Sequence, residues 1–301
     1  PGAEVFVFPQ IGGFVGGDTV AGMLAARMDK LDKPTLLVDI GTNGEIVLAH
    51  DNRCQATSTA AGPAFEGARI VQGMRATVGA IEKVVIQDDV LYNVIGNRPP
   101  VGLCGTALID VVAELLRRNL IEETGRIVSR EEAPRGTPES LSSRLVTDGN
   151  ETNFMIVPAE DSGNGEPIFL WQKDVRELQL ATGAIRAGIN LLLRRVGLTP
   201  DDIHSVLLAG AFGNFIRRNN ARRIGLLPQL PCGRIQFIGN AASLGAKLAL
   251  LSGAERKRAV QLRQGAEHVD LSLDPEFQME FGMAMMFPAD EVDACVEEVH
   301  E

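Results

Sequence analysis

The chain has 301 residues, enough for one large domain or two modest ones. It is 45% hydrophobic and 23% charged, as in folded globular proteins, and its formal charge of -10 argues against nucleic acid or an anionic membrane surface as a partner. No apolar run reaches the roughly 18 to 20 residues of a membrane-spanning helix and no secretory signal opens the chain, so a cytoplasmic protein is expected. The opening Pro1-Gly2-Ala3, without Met, reads as part of a longer protein.

Val5–Phe8 is β-branched and aromatic, and reads as a strand running into the glycine-rich stretch Ile11–Gly17. From Asp18, the spacing of Val20, Met23, Leu24, Met28 and Leu31 predicts a helix that starts on that loop. Thr35–Ile40, Glu45–Ala49 and Cys54–Ser58 form a predicted antiparallel meander, followed by strands over Ala76–Ile86 and Val90–Ile95. A helix is predicted over Ala107–Asn119. Residues 122–153, rich in charge, Ser, Pro and Gly, read as a surface insertion with short irregular elements. The longest helix is predicted over Asp174–Val196, then a strand at Ser205–Leu208, a helix over Phe215–Arg223 and a strand at Ile235–Ile238. Helices to Leu251 and over Ala254–Arg263, with a Met- and Phe-rich tail, complete the pattern.

Three segments carry chemistry. Asp39-Ile40-Gly41-Thr42-Asn43-Gly44-Glu45 joins two strands; its glycines let the backbone approach a phosphate, Thr42 and Asn43 add donors, and Asp39 is placed to hold Mg²⁺ or its waters. An ordinary Asn-Gly type I′ hairpin would look the same. Asp18, at a glycine-rich loop and helix start, can accept a proton from an attacking water or hydroxyl, or simply cap the helix. Gly210-Ala211-Phe212-Gly213-Asn214 follows a buried strand and suits a purine and its ribose lying against backbone, or tight strand-to-helix packing. No P-loop or dinucleotide fingerprint is present. Cys54, Cys104, Cys232 and Cys295 lack metal-site spacing and read as free thiols, and the four histidines show no ligand spacing.

The Asp18 loop, Asp39 hairpin and Gly210 turn, in that order, resemble the connecting, second phosphate and adenosine segments of the actin, sugar kinase and heat-shock chaperone ATPases. Longer blocks resemble one branch, the ATP-dependent reductive activators of corrinoid proteins: Gly12–Thr19, Leu37–Val47, Ala61–Ala68 with Gly73–Arg75, Gly102–Asp110, Leu208–Asn214 and Gly239–Ala246. The resemblance implies an α/β actin-like (ribonuclease H-like) fold, with a mixed five-stranded sheet flanked by helices, a largely complete second lobe and a truncated first lobe. It divides the chain into the end of the first lobe with its connecting helix (1–33), the second lobe (34–252) and a helical tail (253–301).

The implied activity is that of an ATP-dependent activase that returns a Co(II) corrinoid to Co(I) in a methyltransferase system. Asp18 is then the catalytic residue, and Asp39, Gly41, Thr42, Asn43, Gly44, Glu45, Gly105 and Thr106 bind nucleotide phosphates. Gly210, Ala211, Phe212, Gly213 and Asn214 bind adenosine, and Asp39 holds Mg²⁺, through water, with Asp18 a second candidate. The implied cofactors are ATP and Mg²⁺; the family's 2Fe–2S cluster belongs to an N-terminal domain whose cysteine pattern this chain lacks. The implied partner is a corrinoid protein, in an assembly that allows a homodimer. A sugar- or acid-kinase-like phosphotransferase and a non-catalytic, nucleotide-responsive docking module are the alternative readings.

Overall fold

The structure is a computed structural model that describes residues 5–210 and 215–289. In chain order it forms α1 (Gly17–Ala25), β1 (Thr35–Ile40), β2 (Gly44–His50), β3 (Arg53–Thr59), β4 (Ala80–Ile86), β5 (Val90–Val94), β6 (Gly102–Leu103) and α2 (Gly105–Arg117). There follow α3 (Glu139–Ser142), β7 (Leu145–Asp148), β8 (Glu151–Val157), β9 (Ile168–Leu170), α4 (Gln172–Arg195), β10 (Ser205–Ala209), α5 (Arg218–Arg223) and β11 (Ile235–Gly239). Last come α6 (Ala241–Leu251), α7 (Gly253–Gln264), β12 (Ala266–His268) and α8 (Phe277–Ala284). Two compact units emerge: residues up to 60 with 184–215 and 229–281, and residues 61–183 with 216–228 and the chain from 282 on.

The first unit is built on a six-stranded mixed sheet of order β11-β10-β1-β2-β3-β12. Central β1 is buried along nearly its whole length, as its run of Leu and Val requires, and pairs parallel with β10 and antiparallel with β2. Leu37, Val47, Ala56 and Leu207 share a core with Val20, Met23 and Leu24 of α1, Ala249 of α6 and Leu262 of α7. On the other face the second half of α4 lies close: a Cβ on Gly188 would stand 2.7 Å from both Ile46 and Thr59. Helices α1 and α6 meet backbone to backbone, since a Cβ on Gly245 would sit 1.9 Å from Ala21 O.

The sheet has six strands where five were expected, because Ala266–His268 adds in parallel to β3. Val5–Phe8 forms no strand; Phe6 and Phe8 pack edge to face at 5.2 Å and against the core, while Val5 and Val7 are exposed. Strand propensity was present there without a ladder to join. Cys54 and Cys104 are free and buried, as expected, whereas Cys232 is disulfide-bonded.

In the second unit one sheet has order β5-β4-β6 and another β7-β8-β9, the second including part of the predicted insertion. The predicted strand from Ala76 begins only at Ala80, because Gly79, at φ +90°, interrupts the run.

One edge of β4 is closed by side chains instead of a full-length strand. Thr106 Oγ1 donates to Glu82 O (2.7 Å), Val84 N–H to Asp110 Oδ2 (3.1 Å) and Ile86 N–H to Glu114 Oε2 (3.3 Å). Arg217 donates to Val84 O, and Arg117 and Arg118 donate to Ile86 O. The register follows from geometry: four residues of helix rise about 6 Å and two residues of strand about 6.7 Å, so positions 106, 110 and 114 keep step with 82, 84 and 86. Arg217 and Asn220 also bind the buried Asp110 carboxylate, at 2.8 and 2.7 Å. Asp110→Ala therefore leaves a guanidinium and a backbone N–H without their acceptor, and urea denaturation is expected to show a loss of about 3 kcal/mol or more. A change under 1 kcal/mol would mean that this network is not what closes the edge.

Candidate functional site

At the C-terminal end of β1, in the first unit, Asp39 pairs in register with Glu45 of β2, and Glu45 with Ser58 of β3, so the three side chains form one cross-strand row. Ser58 donates to Glu45 Oε1 (3.2 Å). The row lies on the sheet face that packs against α1, and α1 begins with its own carboxylate, Asp18, in the first turn.

Asp18 is not the cap of α1. Gly16 occupies that position, while Asp18 is exposed and Oδ1 accepts from Thr19 N–H at 2.8 Å. Gly12 and Gly17 of the preceding loop have a packing reason: a Cβ on either would lie 2.4 Å from the His268 ring or 2.6 Å from Phe8 Cβ.

The Asp39 hairpin is not the Asn-Gly type I′ turn. None of residues 41–44 has positive φ, and Gly41 N–H instead donates to Asn43 O at 2.9 Å across a three-residue tip with Thr42 and Asn43 exposed. A Cβ on Gly41 would meet Asn43 O at 3.6 Å, an ordinary contact. On Gly44 a Cβ would stand 2.6 Å from Ile185, so Gly44 is demanded by packing on α4.

Gly210 closes the site from the side of β10. It has φ +106°, and a Cβ would come within 2.6 Å of Ile40 O and 3.0 Å of Asp39 Oδ1. Its N–H donates to Gly239 O (3.1 Å). Ala211, Phe212, Gly213 and Asn214 lie outside the described residues. Gly105 and Thr106 belong to the second unit, where Gly105 allows close contact with Phe65 O and the Thr106 hydroxyl is engaged at Glu82 O. Ser58, which holds Glu45, carried no motif and could have been found only from strand register.

Burial, and then the Asp18 charge, push the Asp39 carboxyl above its ordinary range. Glu45 is pushed up to about 7, by burial first; Ser58 pulls it back, while the Asp18 and Asp39 charges push it further. No cation figures among the causes of either shift. The donor set therefore fits a bound cation. Among the described residues no three His, Cys, Asp or Glu side chains converge closely enough to hold an ion directly.

A carboxyl whose folded pKa exceeds its unfolded value of 4.5 favours the fold while protonated; that contribution is complete below about 4.5 and is lost as pH rises through about 7. Glu45→Gln is accordingly expected to be more stable than the parent at pH 8, with the gap closing below pH ~5. Thermal melts in matched buffers without nucleotide or metal check this, and a gap independent of pH would remove the shift.

Known proteins resemble the chain over most of its length. Residues 33–298 match the family model described as the C-terminal domain of RACo, the ASKHA domain, and residues 1–31 match the RACo middle region. The corrinoid activation enzyme RamQ of Eubacterium limosum is 40% identical over 289 residues, covering 95% of this chain and 48% of the relative. The [Co(II) methylated amine-specific corrinoid protein] reductase of Methanosarcina barkeri is 28% identical over 270 residues, covering 82% and 44%. The solved structure of a reductive activator for corrinoid,iron-sulfur protein superposes with a TM-score of 0.82 at 35% identity, over 94% of this chain and 44% of that one. The chain thus spans about half the length of the curated relatives it matches. With two family models side by side over nearly all its residues and the mixed sheet of an actin-like domain, the chain belongs to the RACo family and carries that family's ASKHA domain.

Proposed function

We propose that this chain supplies the nucleotide-binding part of an ATP-dependent reductive activator, which drives a Co(II) corrinoid to Co(I) on the corrinoid protein of a methyltransferase system. The observation that carries the reading is the uncompensated carboxylate row at the end of β1, with Asp18 close enough for its charge to raise both Asp39 and Glu45. Such a row costs free energy in the empty fold and is relieved by a hydrated cation bridging to phosphates.

In this reading Asp39 holds the waters of a Mg²⁺ ion, and the tip at Gly41, Thr42 and Asn43 faces the phosphates. Glu45 would lend its charge to holding such an ion, and Gly210 with Ala211, Phe212, Gly213 and Asn214 would receive the adenosine. When bound, the ion supplies charge neutralisation on the β- and γ-phosphates. Asp18, on the first turn of a helix, orients the water that attacks the γ-phosphorus and accepts its proton as the bond to the β-bridging oxygen breaks, leaving ADP and inorganic phosphate. The electron for cobalt comes from an iron–sulfur centre held outside this chain, whose four cysteines have no ferredoxin-type pattern. Hydrolysis makes the uphill transfer favourable through the partner complex. The names of the relatives, a corrinoid activation enzyme and a corrinoid protein reductase, support the same class of task.

Two variants, assayed in a chain of the relatives' full length, separate the roles. Asp18→Asn is expected to leave Mg-ATP affinity within about twofold and to lower ATP turnover by ~10² to 10⁴. Gly41→Val is expected to weaken affinity first, because the side chain fills the room beside the hairpin tip. Unchanged turnover in Asp18→Asn removes that residue from the chemistry, and a calorimetric blank for Mg-ATP with the unmodified protein removes the nucleotide itself.

A further inference from the structure

The strands that end at the carboxylate row begin at a different feature. Around Thr35 of β1 and Ser205 of β10 lies an open surface pocket of about 550 Å³, in volume within the roughly 300–1,000 Å³ usual for small-molecule sites. Four residues of strand separate Thr35 from Asp39, about 13 Å, so this space is distinct from the phosphate end. We infer that it is a second binding site, for a small amphipathic acid with an anionic head and a short apolar body.

Its chemistry is divided in two. Ala26, Leu207 and Ile238 give an apolar floor, and Lys30, Lys33 and His204 stand on the rim. The rim's one carboxylate is Asp32, so its balance is cationic in a chain of net charge -10. Asp29, next to Lys30, is already taken: Arg258 holds both of its oxygens. Among the described residues no salt bridge engages Lys30 or Lys33, and the Lys30 charge acts only at longer range on Asp29, whose carboxyl Arg258 chiefly lowers. At the back, the Thr35 and Ser205 hydroxyls are bonded to one another at 3.2 Å, and Thr35 Oγ1 also donates to Lys33 O at 3.0 Å. The walls are therefore set by a strand pair and the end of a packed helix, a pre-formed arrangement suited to a small ligand. Inorganic phosphate alone would use the rim and waste the floor; an uncharged alkyl compound would do the reverse.

Octanoate is the probe, with octyl phosphate to tell a carboxylate head from a phosphate one, and 1-octanol and inorganic phosphate as half-ligands. Calorimetry is expected to show saturable one-site binding of at least one of the two amphipathic acids, at least tenfold tighter than either half-ligand. The exposed pair Lys30→Ala and Lys33→Ala, combined, should weaken it about tenfold without changing the melting temperature. Ala26→Trp should abolish it by filling the floor. The inference is overturned if neither acid saturates, if octanol binds as well as they do, or if the double lysine variant binds unchanged. Because the probe carries no nucleotide, failure here leaves the Mg-ATP reading standing, and the reverse holds too.

Discussion

The structure depends on how closely β10 is allowed to approach β1 at their shared end. With the two strands parallel and in register from Thr35/Ser205 to Asp39/Ala209, the chain leaves β10 at Gly210 with φ +106°, against Ile40 O and the Asp39 carboxylate. Any larger residue would be strained by its backbone and would displace Asp39 as well. One glycine thereby fixes the position of the carboxylate that anchors the row, the exit direction of the chain, and the hydrogen bond to Gly239 that keeps β11 alongside. The neighbouring small residues obey similar demands: Gly44 against Ile185, Gly245 against Ala21, Gly17 against Phe8. Close contact demands glycine at each of these positions.

Two treatments of buried negative charge stand side by side. In the second unit Asp110 and Glu114 each face a guanidinium, Arg217 and Arg117, and each accepts a backbone N–H; their work is to complete a sheet edge. In the first unit Asp39 and Glu45 are half-buried and feel the Asp18 charge, and at Glu45 the Ser58 hydroxyl and a backbone hydrogen bond soften the repulsion. Like charges gathered without a counter-ion oppose folding. This contrast is what supports the proposed role of the row in binding a cation.

Much of this was legible in the residues, for identifiable reasons. Thr35–Ile40 and the β10 run are dense in Leu and Val, bounded by turns, and too short to be helices, so type and extent agree with the structure. α4 declares itself by a 3.6-residue period over 24 residues. What failed depended on partners distant in sequence. Val5–Phe8 looks like a strand but has no ladder, while Ala266–His268, three residues after a charged helix, gave no strand signal and joins β3 across more than 200 positions. At the site, Asp39 and Gly210 could be named from motif alone, but the type I′ alternative at Gly41–Gly44 could be dismissed only from dihedral angles, and the share of Ser58 only from register. Gly44, read as a phosphate residue, is placed by a helix 140 residues downstream.

The side-chain ladder along β4 bears on association between copies. A bare strand edge offers alternating N–H and C=O groups to any other chain, which is how many β-proteins begin to aggregate. Here those groups at residues 82, 84 and 86 are occupied by a hydroxyl, carboxylates and guanidinium forks, held in place by a helix and by one arginine from a distant loop. An incoming strand would have to evict these side chains, so growth of fibres or swapped pairs from this edge is opposed by the groups already bonded there. The protection is electrostatic, and it weakens in acid as Asp110, whose carboxyl burial holds above its ordinary range, loses the charge that makes it a competitive acceptor.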